Sequence, residues 1–254
     1  MDLSIAKIAL LAAVAFVAGV IDAIAGGGGL VSLPALLAAG LPPHIALGTN
    51  KGQSTFGSLS ALIQYARAGL VDARRARWML PLGFGGSLAG AALVLLMRPE
   101  QLRPLVLVLL LGVAAFLAFR PPVAHPEGHS PPRGAALWAA LIAFGCGMYD
   151  GFFGPGAGTF LIVALVGLVG LTLTRATAEA KVVNWAANLG ALIVFATRGV
   201  TLWRIALPMA GASIAGGYVG ARIAMKGGDR VIRYVVFAVV AALVAKQAHA
   251  LYGS

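Results

Sequence analysis

Apolar residues run along this chain in long blocks separated by short polar connectors. A helix needs roughly 20 apolar residues to cross the hydrocarbon core of a bilayer. Eight stretches approach that length: 5–25, 45–66, 78–97, 102–119, 135–150, 178–197, 202–222 and 231–251. The pattern therefore predicts an all-α, polytopic membrane fold with about eight full spans.

Two further apolar stretches, 30–39 and 159–173, contain fewer apolar residues than a full span, and each follows directly on a glycine cluster. Glycine lets the backbone turn sharply between helices. We interpret each stretch as the second limb of a broken helical hairpin, which brings the total to ten segments. The polar, proline-rich stretch 121–134 predicts a loop between two sets of five segments.

The two halves of the chain share a motif at nearly constant spacing. Gly19-x-x-Asp22-x-x-x-Gly26 returns as Gly147-x-x-Asp150-x-x-x-Gly154, and Lys51 finds a counterpart in Lys181. Internal repeats in so apolar a chain are typical of secondary transporters, whose substrate sites lie at the repeat interface. We therefore expect a first repeat over 1–120, a linker over 121–134 and a second repeat over 135–254.

Basic residues concentrate in two connectors, 67–77 and 222–233, which predicts that both lie on the cytoplasmic side. When the two halves are aligned as repeats, however, connector 67–77 corresponds to connector 197–203. An odd number of membrane crossings separates 197–203 from the cytoplasmic connectors, so 197–203 is predicted to lie outside. The two repeats are therefore predicted to be inverted, with a cytoplasmic linker and both termini outside the cytoplasm. Because stretch 5–25 lacks a basic leader and a convincing cleavage site, we expect a retained helix there.

Composition supports lipid as the surrounding medium: 60% of residues are hydrophobic, 11% are charged and the mean hydropathy is +0.92. A net charge of +11 could suggest nucleic acid, but the basic residues lie in the connectors, so no nucleic-acid partner is expected. The single Cys146 excludes a disulfide framework, and the four histidines lack metal-ligand spacing. No metal or cofactor is expected, and the absence of a nucleophile–base pair argues against an intramembrane enzyme.

Each half carries a lysine inside an apolar stretch, which is costly unless the ammonium meets a partner or water. Positions i, i+3 and i+7 share one helix face. The two polar stripes on such faces are Lys51, Ser54 and Ser58 in the first half, and Lys181, Asn184 and Asn188 in the second. Facing stripes would suit a small oxyanion, with Asn50 and Gln53 as further donors. Alternatively, each lysine only neutralises a carboxylate, Asp22 for one and Asp150 for the other.

The glycine clusters and the acids also allow two interpretations each. Gly27, Gly28, Gly156 and Gly158 could expose N–H groups to an anion, or could merely permit a tight helix break. Intramembrane acids are candidates for a proton relay, though they also serve as caps and ion-pair partners. The candidates here are Asp22, Asp150 and Glu179, the last of which replaces Thr49 in the second half. Sodium coupling is the alternative, through carbonyls freed at the breaks.

These motifs resemble a known family. Gly19-Val-Ile-Asp22-Ala-Ile-Ala-Gly-Gly-Gly-Gly29-Leu, Pro34 and Ala46-Leu-Gly-Thr-Asn-Lys51 closely resemble the first repeat of the TauE/SafE membrane transporters. Gly154-Pro-Gly-Ala-Gly158 and Ala176-Thr-Ala-Glu-Ala-Lys181, with Asn184 and Asn188, are similar to that family's second repeat. Asn50 becomes Ala180 in the second half, so a strictly symmetric site is not expected.

The resemblance implies ion-coupled secondary transport of a small sulfur-containing anion across the bacterial inner membrane. Sulfite, sulfoacetate and other sulfonates are the expected substrates, and a proton is the favoured coupling ion. The alternatives are a passive anion channel, a sodium-coupled carrier of another small organic anion, and a scaffold without transport. The sequence leaves the direction of transport and the oligomeric state open.

Overall fold

The computed structural model describes residues 4–119 and 134–252, except for the side chains of residues 103, 114, 116–119 and 228–252. Every regular element in these ranges is a helix. The helices are α1 Ile5–Ala25, α2 Gly29–Ala38, α3 Pro43–Arg67, α4 Ala73–Leu95, α5 Pro99–Phe119, α6 Ala135–Phe152, α7 Ala157–Ala164, α8 Leu173–Thr197 and α9 Trp203–Tyr252. A π-helical turn, Leu165–Val169, extends α7. The linker predicted over 121–134 lies outside the described residues, apart from Gly134.

Local sequence signals explain where several helices begin. The Ser4 side chain accepts a hydrogen bond from Lys7 N and caps α1, and Thr172 caps α8 in the same way through Arg175 N. Asp72 caps α4. The backbone N–H of Arg74, helped by the charge of Arg75, keeps the pKa of the Asp72 carboxyl below its usual value. Such caps satisfy N–H groups that the first helical turn leaves without partners.

Both glycine clusters end a helix, as the sequence predicts. Gly26 follows α1 with φ of 74°, and Gly154 and Gly156 follow α6 with φ of 98° and 83°. These left-handed values strain any residue that carries a Cβ atom. The chain therefore turns at both clusters and forms two helical hairpins, α1–α2 and α6–α7.

The second limb of each hairpin is shorter than a membrane span. The α2 helix has 10 residues, and α7 has 8 before its π-helical turn. At a rise of about 1.5 Å per residue, α2 is about 15 Å long, or half the thickness of a hydrocarbon core. Four helices in the described part are long and apolar enough to cross a membrane: α1, α4, α6 and α8. The larger number of full spans remains a prediction.

The end of the chain differs from the sequence-based expectation. The sequence predicts two segments, 202–222 and 231–251, but the structure has one continuous 50-residue helix, α9. Glycine weakens a helix without forbidding it, and no proline follows Pro208 to remove a backbone donor. The Gly227-Gly228 pair therefore remains helical, and the prediction of a break in this connector was wrong.

Helices of each half pack mainly against helices of the other half. The α1 helix packs mainly on α9, and its repeat counterpart α6 packs mainly on α4. In the same way, α3 packs on α9 and α8 packs on α4, while α3 and α8 meet each other. Each half thus completes its packing with helices of the other. The two-fold relation between repeats and their inverted orientation in the membrane both stay predictions.

Glycines make these exchanged contacts close. A Cβ atom added at Gly90 of α4 would lie within 3.0 Å of Met148 O in α6, and one at Gly216 of α9 would lie as close to Phe16 O in α1. The two glycines occupy matching repeat positions in Gly86-Ser-Leu-Ala-Gly90 and Ala212-Ser-Ile-Ala-Gly216. Small residues let membrane helices approach to backbone contact.

We expect Gly90→Ala to lower the thermal stability of the protein in detergent, because the new methyl group would push α4 away from α6. Gly85→Ala is the matched control, since a Cβ atom at Gly85 meets nothing within 4 Å. The control should be neutral, or more stable by about 0.5–1 kcal/mol from helix propensity. Equal melting temperatures for the two variants would contradict the close contact.

Candidate functional site

Two buried ion pairs join the halves of the protein at its centre. Lys51 Nζ in α3 lies 2.5 Å from Asp150 Oδ1 in α6, and Lys181 Nζ in α8 lies 2.8 Å from Asp22 Oδ2 in α1. Lys181 Nζ also donates to the backbone oxygen of Asp22. Each lysine therefore pairs with the acid of the opposite half. The sequence allowed the interpretation that each lysine neutralises a carboxylate, and the structure contains both such pairs. It also shows which acid pairs with which lysine.

Burial makes these pairs necessary for the fold. Lys51 is 1% exposed and Lys181 is completely buried. An ammonium group removed from water loses several kcal/mol of solvation, which only a close counter-ion and hydrogen bonds can offset. The hairpins hold the two acids beside the lysines. Asp22 lies four residues before Gly26 and Asp150 four residues before Gly154, the glycines at which the turns begin.

The second polar stripe completes the pair between Lys51 and Asp150. Lys51 Nζ donates to Asn188 Oδ1 at 3.0 Å, and Asn184 Nδ2 donates to Asp150 Oδ2 at 3.0 Å. Both carboxylate oxygens of Asp150 are therefore engaged. Four residues predicted from the sequence thus lie in one network, which contains residues from α3, α6 and α8.

The first stripe is arranged differently around Asp22. Ser58 Oγ donates back to Ser54 O and Thr55 O of its own helix and does not reach across to the acid. Gln53 Nε2 donates to Asn50 Oδ1 at 3.1 Å and to Ser54 Oγ at 2.8 Å. The carboxamide of Asn50 also accepts a hydrogen bond from Ser32 Oγ in α2.

A small cavity lies beside Asp22, where the serine side chains leave space. It measures about 10 Å³, which is room for about one water molecule. Its lining comes from α1, α3, α9 and the first glycine cluster: Ala18, Gly19, Asp22, Gly28, Gln53, Ser54, Gly57, Ser58 and Ser213. The cavity thus brings Gly28 together with residues of the first stripe.

Of the remaining predicted glycines, Gly158 lies where the two hairpins touch. A Cβ atom at Gly158 would lie 2.5 Å from Gly26 Cα, and one at Gly26 would meet Gly158 as closely. Thr159 Oγ1 adds a hydrogen bond of 2.8 Å to Ala25 O across this contact. Gly156 packs against Val113 of α5, and Gly27 O accepts from Leu30 N in the first turn of α2. Close packing therefore accounts for Gly158, while the anion-binding role stays a prediction.

Glu179 forms an ion pair that sequence reasoning missed. Arg75 Nε lies 2.8 Å from Glu179 Oε2, and a terminal guanidinium nitrogen lies 2.6 Å from Oε1. The sequence analysis treated Arg75 as a connector charge, whereas it occupies the first turn of α4. The signal available in the sequence is that Glu179 lies inside the apolar stretch 178–197, where an acid requires a nearby base. The structure leaves Glu179 only 1% exposed.

The buried charges of this site balance within the described part of the chain. Lys51 and Lys181 lie against Asp150 and Asp22, and Glu179 lies against Arg75, whose side chain is 28% exposed and also contacts Asp72. Among the same residues, no three histidine, cysteine, aspartate or glutamate side chains cluster as they would to hold a metal ion.

Comparison with known proteins identifies the family. The family model described as sulfite exporter TauE/SafE matches residues 11–246. The chain belongs to the TauE/SafE family. The resemblance carried by the two glycine-and-lysine motifs is thereby confirmed, and the chain is a multi-pass membrane protein.

Curated relatives agree with this assignment. A probable membrane transporter protein, ORF9, of Sinorhizobium sp. is 38% identical over 242 residues, covering 95% of this chain and 92% of the relative. YfcA of Escherichia coli K12, also a probable membrane transporter protein, is 38% identical and covers 94% of this chain and 89% of its own length. A third relative, a probable membrane transporter protein of Haemophilus influenzae, is 39% identical, and the match covers 93% of this chain and 92% of the relative. No solved structure matches this member of the TauE/SafE family.

The exchanged pairing predicts a specific pattern of compensation. We expect Lys51→Met to lower the free energy of unfolding by about 3–5 kcal/mol, because Asp150 would remain buried without its counter-ion. Adding Asp150→Asn should recover most of this loss. Adding Asp22→Asn to Lys51→Met should instead lower stability further, because it breaks the second pair. Thermal unfolding of the single and double variants in detergent measures these differences, and recovery by Asp22→Asn would contradict the pairing between halves.

Proposed function

We propose that the protein is a secondary transporter that carries a small sulfur-containing oxyanion across the bacterial inner membrane by alternating access, coupled to a proton. Sulfite, sulfoacetate and other organosulfonates are the proposed substrate class. The observation that carries the proposal is the pair of buried lysines at the interface of the halves, each beside a glycine break. The family description, sulfite exporter, supports the choice of substrate class.

The lysines supply the groups that an oxyanion needs. A sulfite or sulfonate oxygen can replace a carboxylate oxygen at an ammonium group, with charge-assisted hydrogen bonds of similar strength. Asn188 contacts Lys51 directly, and its neighbour Asn184 holds Asp150. The proposed binding step is therefore an exchange, in which the substrate takes over a lysine that a carboxylate holds in the described conformation.

The same pairs give a physical reason for alternating access. Both ion pairs connect one half to the other, so they hold the halves together in a closed conformation. The cavity beside Asp22 admits about one water molecule and is smaller than sulfite. Substrate entry thus requires the halves to separate locally, and release of an ion pair lowers the cost of that movement.

Charge balance favours coupling to a cation. With two buried cations, Lys51 and Lys181, against the two carboxylates of Asp150 and Asp22, an incoming anion would give the site net negative charge. Excess charge away from water is expensive. A proton on one carboxylate removes that excess and frees a lysine at the same time. A carrier built in this way should accumulate anion when a pH gradient is imposed.

Uptake of ³⁵S-labelled sulfite into proteoliposomes tests the proposal. We expect saturable uptake by the wild type that rises when a pH gradient is imposed. Replacing the pH gradient by a sodium gradient tests the other coupling ion. Unsaturable flux that ignores both gradients would indicate a passive channel, and no flux of sulfite or of a sulfonate and carboxylate panel would overturn the transport proposal.

A charge-neutral double variant separates substrate binding from structural support. Lys51→Met with Asp150→Asn keeps the buried charge balanced, so the protein should fold. We expect sulfite–sulfite exchange to fall at least about tenfold, since a lost charge-assisted contact costs more than 1.4 kcal/mol. Lys7→Met, at an exposed position of α1, is the matched control and should exchange normally. Normal exchange by the folded double variant would assign this pair a structural role only.

A further inference from the structure

The three buried acids of the site differ in how fully they are held. Arg75 engages both oxygens of Glu179, and Lys51 and Asn184 engage both oxygens of Asp150. The Asp22 side chain is 21% exposed, whereas those of Glu179 and Asp150 are each 2% exposed. Among the described side chains, Lys181 is the one that holds the Asp22 carboxylate, through Oδ2. Asp22 is therefore the acid with spare capacity for another ligand.

Repeat asymmetry explains why space remains at Asp22. The positions equivalent to Asn184 and Asn188 are Ser54 and Ser58, whose side chains are shorter. Asn184 reaches Asp150 with its amide, whereas its counterpart Ser54 accepts a hydrogen bond from Gln53 Nε2 on its own helix, and Ser54 and Ser58 both line the cavity. Gly57 and Gly28 also line it and contribute no side-chain atoms.

A second observation points to a ligand in this cavity. Gln53 lines it and is 2% exposed, yet its Oε1 atom has no hydrogen-bond partner among the described residues. The Nε2 atom already donates to Asn50 and Ser54, which fixes the orientation of the amide. An unpaired buried acceptor destabilises the protein unless a donor or a cation reaches it.

We propose that the cavity between Asp22 and Gln53 is the binding site of the coupling cation, either a proton on Asp22 or a sodium ion. This inference rests on the proposed function and assigns its coupling ion to one of the three candidate acids. The polar residues that line the cavity, Asp22, Gln53, Ser54, Ser58 and Ser213, all carry side-chain oxygens. Hard cations prefer such ligands, and a protonated Asp22 can donate to Gln53 through one water molecule.

The position of the site links the cation to the anion. Lys181 on α8 is the charged group that contacts Asp22, and Asp150 on α6 and Tyr65 on α3 are titratable groups near enough to interact with it electrostatically. A cation on Asp22 competes with Lys181 for the same carboxylate. Lys181 then loses part of its counter-charge and attracts an oxyanion more strongly. Cation binding thereby favours anion binding through one shared carboxylate.

Direct ion binding by the full-length protein in lipid nanodiscs tests the site without relying on transport. One arm measures proton uptake in weak buffer as the pH is lowered, and the other measures binding of radioactive sodium. Other carboxylates and histidines also take up protons as the pH falls, so the proton arm counts only the uptake of the wild type in excess of that of Asp22→Asn. We expect either an excess of about one proton or binding of sodium, and the arm that responds identifies the ion. Asp22→Asn should weaken that binding at least about tenfold, because the charge that attracts the ion is removed.

A second variant keeps the test informative when Asp22→Asn folds poorly. Ser54→Asn gives position 54 the side chain of its counterpart Asn184, so that an amide enters the cavity. This variant should also weaken ion binding, while Asp22 and Lys181 remain. Ser60→Asn on the same helix is the matched control, because Ser60 bonds Ile214 O and does not line the cavity. It should bind the ion as the wild type does.

The outcomes separate this inference from the transport proposal. Ion binding that disappears in Asp22→Asn and Ser54→Asn but persists in Ser60→Asn supports the site. Undiminished binding in the two cavity variants, or no binding of either ion by the wild type, overturns it, even when sulfite flux is observed. Ion binding at Asp22 without flux of any tested anion would instead overturn the transport proposal and leave the cation site intact.

Discussion

The arrangement of this protein depends on the need to neutralise two lysines that are buried away from water. Each lysine lies on a long helix of one half, and its counter-ion lies at the end of a hairpin helix of the other half. Neither half could bury its own lysine without the opposite hairpin, because an unpaired ammonium in this environment costs several kcal/mol. The ion pairs, the exchanged helix packing and the contact between hairpins are therefore parts of one solution to the same electrostatic problem.

The two pairs are similar in position and different in environment. Asparagine amides surround the pair between Lys51 and Asp150, so that pair is held by several hydrogen bonds at once. Serines take the same positions near Asp22, and the space that they leave is open to a small ligand. A repeat protein can in this way hold one pair through several hydrogen bonds and leave space for a further ligand beside the other. The division requires only a difference in side-chain length at two helix positions.

The sequence predicts those features that depend on neighbouring residues. Glycine clusters predict the two helix breaks, apolar length predicts the short limbs, and helical periodicity predicts that Lys181, Asn184 and Asn188 share a face. Sequence alone does not tell which acid meets which lysine, because that depends on how the halves pack. The pair between Arg75 and Glu179 was missed for the same reason, since its partners lie on α4 and α8 and are far apart in the chain. The continuity of α9 was missed because a charged, glycine-containing stretch was interpreted as a turn, although its residues permit a helix.

The contact between Gly26 and Gly158 limits how this protein can change by mutation. At most packed positions a larger residue on one side is accommodated when its neighbour becomes smaller. Here neither neighbour can become smaller, because each is already glycine and the approaching atoms belong to the backbone. Gly26 also has a left-handed φ of 74°, which independently disfavours a side chain. Single substitutions at this crossing therefore have no compensating partner nearby, and a tolerated change would require the two hairpins to move apart together.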